Sequence, residues 1–231
     1  MPEIALILPP ELLPEAGEEM LHTTPYGPVT QRAGALLRAE GSDPRALLYA
    51  AKAAGARRVL AADRVAAVSP LLEEGDLVVP ADTIDQTRLR PFTFFTGKGY
   101  GFIKLNPPFC PELMERLLAA GRAARPRCFR GATYVGTDGP REATPAELQM
   151  FRRWGAEVAG TGLLPEAYLA RELELCYGAI AVVGEGDGGL APLLRHLAEE
   201  LTGGEQNRCA CGHSMAHLKA QGVIPEDWRQ W

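Results

Sequence analysis

The chain has 231 residues, 46% of them hydrophobic and 23% charged, with a formal net charge of -5. That length supplies one sizeable core, and the acidic balance, without any Lys/Arg-rich run, argues against a nucleic-acid partner. The opening segment MPEIALILPPELLPEAG loses its apolar run at Pro9 and Pro10 and has no basic residues ahead of it. Neither a secretory leader nor a membrane span is expected from it, so the expectation is a soluble, cytoplasmic protein with no membrane partner.

In chain order, Glu3–Leu8 (EIALIL) is a short apolar run stopped by Pro-Pro, the pattern of a buried strand. Pro44–Ala56 carries apolar residues at helical spacing and comes to its end at Gly55. Arg57–Ala62 and Gly75–Asp82 (GDLVVPAD) read as strands, and Cys110–Ala124 as an amphipathic helix with Pro111 in its first turn. Arg130–Val135 is predicted as a strand. Pro145–Trp154 is predicted as a helix, with Thr144 as N-cap and Glu147 three residues on, the signature of a capping box. Ala156–Ala159 is a short strand, Pro165–Glu174 a helix, Ala179–Val183 a continuously apolar strand, and Leu190–Leu201 the last long helix. Strands alternating with helices predict an α/β fold with a mixed, mostly parallel central sheet flanked by helices. No repeat, low-complexity tract or linker divides the chain. A single domain over residues 1–231 is expected, with a Cys-x-Cys tail at about 205–231.

Two stretches, GDLVVPADTIDQTRLRPFTFFTGKG (75–99) and DGPREATPAELQMFRRWGAEVAG...LLPEAYLARELELCYGAIAVV (138–183), together resemble the trimeric purine nucleoside phosphorylase and methylthioadenosine phosphorylase family. PFCPELMERLL (108–118) fits the same pattern. The resemblance implies a homotrimeric pentosyl transferase of purine salvage that needs no cofactor. Such enzymes cleave the N-glycosidic bond of a purine nucleoside with phosphate, giving free base and a sugar 1-phosphate. The chemistry asks for backbone N–H groups and cations around phosphate, a donor at purine N7, and anionic oxygen near the developing oxocarbenium ion.

Site by site, this chain departs from the family. The Gly-Gly-Ser/Thr-Gly phosphate turn after the first strand reads Leu8-Pro9-Pro10-Glu11 here, and proline has no N–H to offer. The Arg-His phosphate segment is missing between Tyr26 and Pro44, which holds Arg32 and Arg38 but no histidine. A phosphate-binding Thr falls on Asp63, which is expected to pair with its neighbour Arg64. The base-stacking aromatic falls on Glu142 and its polar neighbour on Ala143. The family's Met-Ser/Thr pair falls on Thr161 and Gly162, and the histidine of the sugar 5′ pocket on Phe102. Two aspartates of adenine-specific members fall on Glu185 and Asp187, where a carboxylic acid kept protonated by burial could serve N7. Glu142 is expected to face the same cavity as these two acids, with Arg141 or Arg64 as their cationic partner.

The resulting expectation is a divergent family member that cleaves or binds a purine nucleoside or base after losing the usual phosphate site. The alternatives are a non-catalytic member that partners an active paralogue, a nucleoside hydrolase, or an enzyme that uses Glu142, Asp63 and Arg64 on another anionic substrate.

Five cysteines remain: Cys110, Cys128, Cys176, Cys209 and Cys211. A buried apolar role suffices for the first three. In RCACGHSMAHLK, Cys209, Cys211, His213 and His217 could offer four zinc ligands, but their spacings are tighter than those of ordinary zinc sites, and no metal is expected. Thermophilic members of the resembled family use a similar Cys-x-Cys as a disulfide element, which makes a disulfide or unpaired thiols the preferred reading.

Overall fold

The computed structural model describes residues 3–13, 17–96, 100–203 and 208–225. Along them run β1 (Ile4–Leu8), β2 (Glu19–Thr24), β3 (Gly27–Arg32), β4 (Ala35–Leu37), α1 (Pro44–Ala53), β5 (Arg58–Ala67), β6 (Leu77–Asp85) and α2 (Pro111–Ala124). There follow β7 (Cys128–Gly136), α3 (Pro145–Arg153), β8 (Val158–Gly160), α4 (Glu166–Glu172), β9 (Cys176–Val183), α5 (Leu190–Leu201) and α6 (Ala216–Ala220).

The strands form one sheet in the order β2-β3-β4-β1-β5-β8-β7-β6-β9, and β9 also pairs with β5, so its last five strands close on themselves. Pairing is parallel for β1 with β4 and β5, for β5 with β9, and for β7 with β6 and β8. The hairpin β2–β3, its contact with β4, and the pairs β5–β8 and β6–β9 are antiparallel. The expected single α/β domain with a mixed sheet is what the chain builds. Among the described residues no helix is long and apolar enough to cross a membrane.

β9 explains the apolar run seen in the sequence, because all its residues are buried. Tyr177, Ala179, Ala181 and Val183 enter one core with Leu47 of α1 and Leu169 of α4. Cys176, Ile180 and Val182 enter the other with Leu113 and Leu117 of α2 and Leu194 of α5. A strand covered on both faces has no reason to alternate.

Helix starts follow local chemistry. Asp43 caps α1 by accepting the Arg45 N–H, with Pro44 in the first turn. Thr144 and Glu147 form the reciprocal capping box that opens α3.

Several elements differ from the sequence expectation: β4 and α6 were not anticipated, β9 begins at Cys176 rather than Ala179, and β6 runs on to Asp85. The hairpin β2–β3 was not predicted, since β2 shows Met20 and Leu21 to solvent and lacks an inward-facing apolar stripe. Its turn is fixed by polar groups instead: the Thr24 hydroxyl donates to the Gly27 carbonyl at 2.6 Å and accepts the Tyr26 N–H at 3.1 Å. β5 was expected to stop at Ala62 but runs on to Ala67. The charged pair Asp63-Arg64 looks like a strand end in sequence, yet Asp63 is buried and satisfied from neighbouring elements.

Candidate active site

A cavity of about 840 Å³ opens at the carboxyl ends of β1 and β4. Its walls are the Pro9-Pro10-Glu11 turn after β1, the turn between Arg38 and α1, the Asp138–Glu142 loop after β7, and Thr161-Gly162 after β8. Open α/β sheets hold their ligands at such strand ends. Three arginines (Arg38, Arg90, Arg141) face seven acids (Glu11, Glu40, Asp43, Asp63, Asp138, Glu142, Glu166) around it, so the cavity is anionic.

The floor is a buried polar network. Arg38 donates from Nε to Glu166 Oε1 at 2.6 Å, from Nη2 to Glu166 Oε2 at 2.9 Å, and from Nη1 to the Ala62 carbonyl at 2.6 Å. The Tyr177 hydroxyl donates to Glu166 Oε2 at 2.7 Å. Asp63 stands 3.7 Å from Arg38 Nη1, and its Oδ2 accepts the Tyr134 hydroxyl at 2.7 Å and the Gly162 N–H at 3.1 Å. One guanidinium thus serves two carboxylates. Burial pushes the Asp63 carboxyl up, against the pull of Arg38 and the Tyr134 hydrogen bond. Burial also works against the Arg38 charge, but Glu166 overrides it and holds the guanidinium protonated.

The network dictates its neighbours. A Cβ at Gly162 would lie 2.5 Å from Arg38 Nη1 and 2.6 Å from Asp63 Oδ1. The Ser/Thr of the resembled pattern therefore has no room here, and its loss is the geometric companion of Asp63 and Arg38.

The other two arginines are engaged as well. Arg90 donates to the Thr161 and Leu164 carbonyls and lies 3.3 Å from Asp138. Arg141 grips both oxygens of Glu147 at 2.8 Å. Every arginine of the cavity thus has a carboxylate partner.

Of the residues singled out from sequence, Asp63, Glu142 and Thr161 meet around this cavity, while Arg64, Phe102, Glu185 and Asp187 lie outside its lining. The expected Asp63–Arg64 pair is not formed: Asp63 faces Arg38, and Arg64 on the opposite side of the strand reaches Glu185 at 3.5 Å. Arg141 serves Glu147 rather than the acids after β9. Glu185 and Asp187 sit at the carboxyl end of β9, the same end of the sheet, but both are exposed, so the burial expected of them is not found. The Asp187 carboxylate accepts the Gly189 N–H at 3.0 Å at the start of α5. Phe102 is 61% exposed.

Sequence reasoning passed over Glu166, Tyr134, Tyr177 and Glu172. The available signal was an acid or a tyrosine embedded in an otherwise apolar stretch, since such a group must find a partner when buried. Glu172 accepts the Thr93 hydroxyl at 2.7 Å and the Phe94 N–H at 2.8 Å, tying α4 to the segment after β6, and burial raises its carboxyl to about 7.

A second side-chain cluster lies elsewhere. The sulfurs of Cys110, Cys176, Cys209 and Cys211 all lie within 4.8 Å of one another, none of the four lines the cavity, and among the described residues no disulfide is formed. Cys128 is buried apart from them.

The strand ends where this acidic cavity opens are where α/β sheets hold small molecules. A family model described as the Phosphorylase superfamily matches residues 24–211, and the chain belongs to that family. The S-methyl-5'-thioadenosine phosphorylase of Thermofilum pendens is 32% identical over 77% of this chain and 74% of its own length. A probable 6-oxopurine nucleoside phosphorylase of Thermococcus kodakarensis is 32% identical over 99% of this chain and 95% of its own. A probable S-methyl-5'-thioinosine phosphorylase of Methanopyrus kandleri is 38% identical over 67% of this chain. Against that protein and three others the match spans 51% to 60% of the relative's length. Among solved structures, a methylthioadenosine phosphorylase from an antarctic soil metagenomic library superposes with a TM-score of 0.81, at 24% identity over 98% of this chain and 96% of that one. That likeness establishes the fold.

Proposed function

We propose that this family member binds a purine nucleoside or base in the acidic cavity and does not use phosphate as a co-substrate there. The observation that carries this reading is the engagement of Arg38 with Glu166, Asp63 and the Ala62 carbonyl at the cavity floor. Phosphate entering beside it would meet Asp63 and Glu11 and a turn whose Pro9 and Pro10 lack N–H groups. A neutral ligand rich in donors, such as the exocyclic amine of adenine or the hydroxyls of ribose, suits this acidic lining far better. The relatives named as purine or methylthioadenosine phosphorylases support the ligand class.

In this reading Asp63, Glu142 and Thr161 contact the ligand directly. Glu185 and Asp187, from the loop after β9 at the same end of the sheet, meet a purine edge that extends beyond the cavity lining, and Phe102 and Arg64 flank the site from outside that lining. One observation favours hydrolysis over mere binding: Asp63 is a buried carboxylate at the cavity floor, suited to take a proton from an attacking water.

A cytoplasmic homotrimer completes the proposal. Leu89, Phe92, Tyr100 and Phe102, all exposed along one segment, offer apolar surface for such an assembly to cover. Light scattering should then return three times the 24.9 kDa chain mass.

Product analysis tests the central reading. Methylthioadenosine, adenosine and inosine are each incubated with the protein, with and without phosphate, and followed by chromatography and thermal shift. Stabilisation by a nucleoside without phosphate, and no sugar 1-phosphate in any mixture, is expected. Phosphate-dependent formation of sugar 1-phosphate would overturn it.

A further inference from the structure

Cys110, Cys176, Cys209 and Cys211 come from three separate parts of the chain: the N-terminus of α2, the first residue of β9, and the segment before α6. Their sulfurs all lie within 4.8 Å of one another, and three of the residues are buried. We infer that these four cysteines form a structural zinc site, a closed tetrathiolate centre that fastens the C-terminal segment to the domain.

Distances favour an ion over covalent pairs. A tetrahedral zinc with Zn–S bonds of about 2.3 Å places its sulfurs about 3.8 Å apart. Here Cys209 Sγ stands 3.6 Å from Cys110 Sγ and 3.4 Å from Cys176 Sγ. A disulfide needs about 2.05 Å and one partner for each sulfur. Cys209 is instead shared nearly equally between two sulfurs, as expected of groups gathered around a common centre. The mutual approach also speaks for a single ion, because the thiolates of a four-iron cluster bind four different irons and stand well apart. Soft thiolates in tetrahedral array select zinc among common divalent ions.

The surroundings are built for the charge. Four thiolates on a dication leave two negative charges, and Arg171 of α4 donates from Nη1 to Cys211 Sγ at 3.3 Å. The same guanidinium is fixed by the Pro107 and Pro108 carbonyls through Nη2, at 2.9 and 3.3 Å. Cys110 lies at the N-cap of α2. Its backbone N–H donates to the Tyr177 carbonyl at 2.8 Å, so α2 and β9 present two ligands in fixed relation. His213 and His217, the candidates offered by sequence spacing, are outside the cluster. All four positions around the ion are filled by protein, so the site is structural rather than catalytic.

The full chain, expressed in zinc-supplemented medium and purified without chelator, is analysed by elemental mass spectrometry and by thiol titration after denaturation. One zinc per chain and all five thiols reactive once the metal is chelated are expected. Cys209→Ser and Cys176→Ser should lose the metal, whereas Cys128→Ser should retain it. Because a ligand variant can fail to fold, the wild-type protein stripped of zinc is also titrated with Co²⁺ alone. The intense visible bands of tetrahedral tetrathiolate cobalt, saturating at one equivalent and abolished by zinc, are the expected signature. Metal-free protein with one reactive thiol and a mass lower by four hydrogens would mean two disulfides, and would overturn the inference. So would five reactive thiols without metal binding, or a Co²⁺ spectrum lacking thiolate bands.

Discussion

Arg38 and Glu166, 128 residues apart in sequence, meet at the cavity floor in a two-toothed ion pair with separations of 2.6 and 2.9 Å. This contact joins the turn after β4 to the start of α4 and sets the electrostatics of the site, because it leaves Asp63 with only a share of one cation. Removing one partner of such a pair strands a buried charge, at a cost of about 3–5 kcal/mol. Glu166→Ala should lose that much stability in urea denaturation, and Arg38→Met together with Glu166→Leu should lose less than Glu166→Ala alone. A loss under about 1 kcal/mol for Glu166→Ala would show that the pair does not hold the floor together.

Asp63 is the anion that phosphate would have to approach. Asp63→Asn keeps an acceptor for the Tyr134 hydroxyl and removes the negative charge that opposes an incoming anion beside Arg38. Phosphate affinity should rise at least about tenfold, or about 1.4 kcal/mol, by calorimetry. Unchanged affinity would mean that the proline turn excludes phosphate without help from Asp63.

Glu172 sets a pH dependence. Its carboxyl is raised to about 7 by burial, despite hydrogen bonds from Phe94 and Thr93. An acid whose folded pKa exceeds its unfolded value of about 4.3 binds protons more tightly when folded, so stability falls as pH rises between the two values. Glu172→Gln keeps an acceptor for the Phe94 N–H and cannot ionise. The variant should exceed the wild type by about 1–3 kcal/mol at pH 8, the advantage vanishing near pH 4, as read from denaturation midpoints. Parallel pH curves would contradict this.

The loop after β9 is tested by Asp187→Asn. The amide oxygen can still accept the Gly189 N–H, so the start of α5 is preserved. Loss of a charge-assisted hydrogen bond to the purine edge should cost about 1.5–3 kcal/mol, roughly ten- to a hundredfold in nucleoside affinity. Unaltered affinity would confine the ligand to the lined cavity.

Much of the frame was legible because its determinants are local. The apolar run of β9, the Thr144–Glu147 box of α3 and the limits of α5 follow from neighbouring residues. The hairpin β2–β3 was not, since Met20 and Leu21 of β2 point to solvent, Val29 alone turns inward from β3, and the turn is held by one threonine hydroxyl. The length of β5 was hidden because Asp63 looks like a surface residue until Arg38 and Tyr134 are known to reach it. The site shares that limit. Asp63, Glu142 and Thr161 could be picked out one at a time, whereas the Arg38–Glu166 pair and the four-cysteine cluster exist only after distant segments have converged.

The most direct test of the account is a calorimetric titration of phosphate into protein already saturated with its best nucleoside ligand. The account predicts no saturable heat, corresponding to a Kd weaker than about 1 mM. A single phosphate site per chain with a Kd of about 10 μM or tighter, followed by appearance of a sugar 1-phosphate, would contradict it.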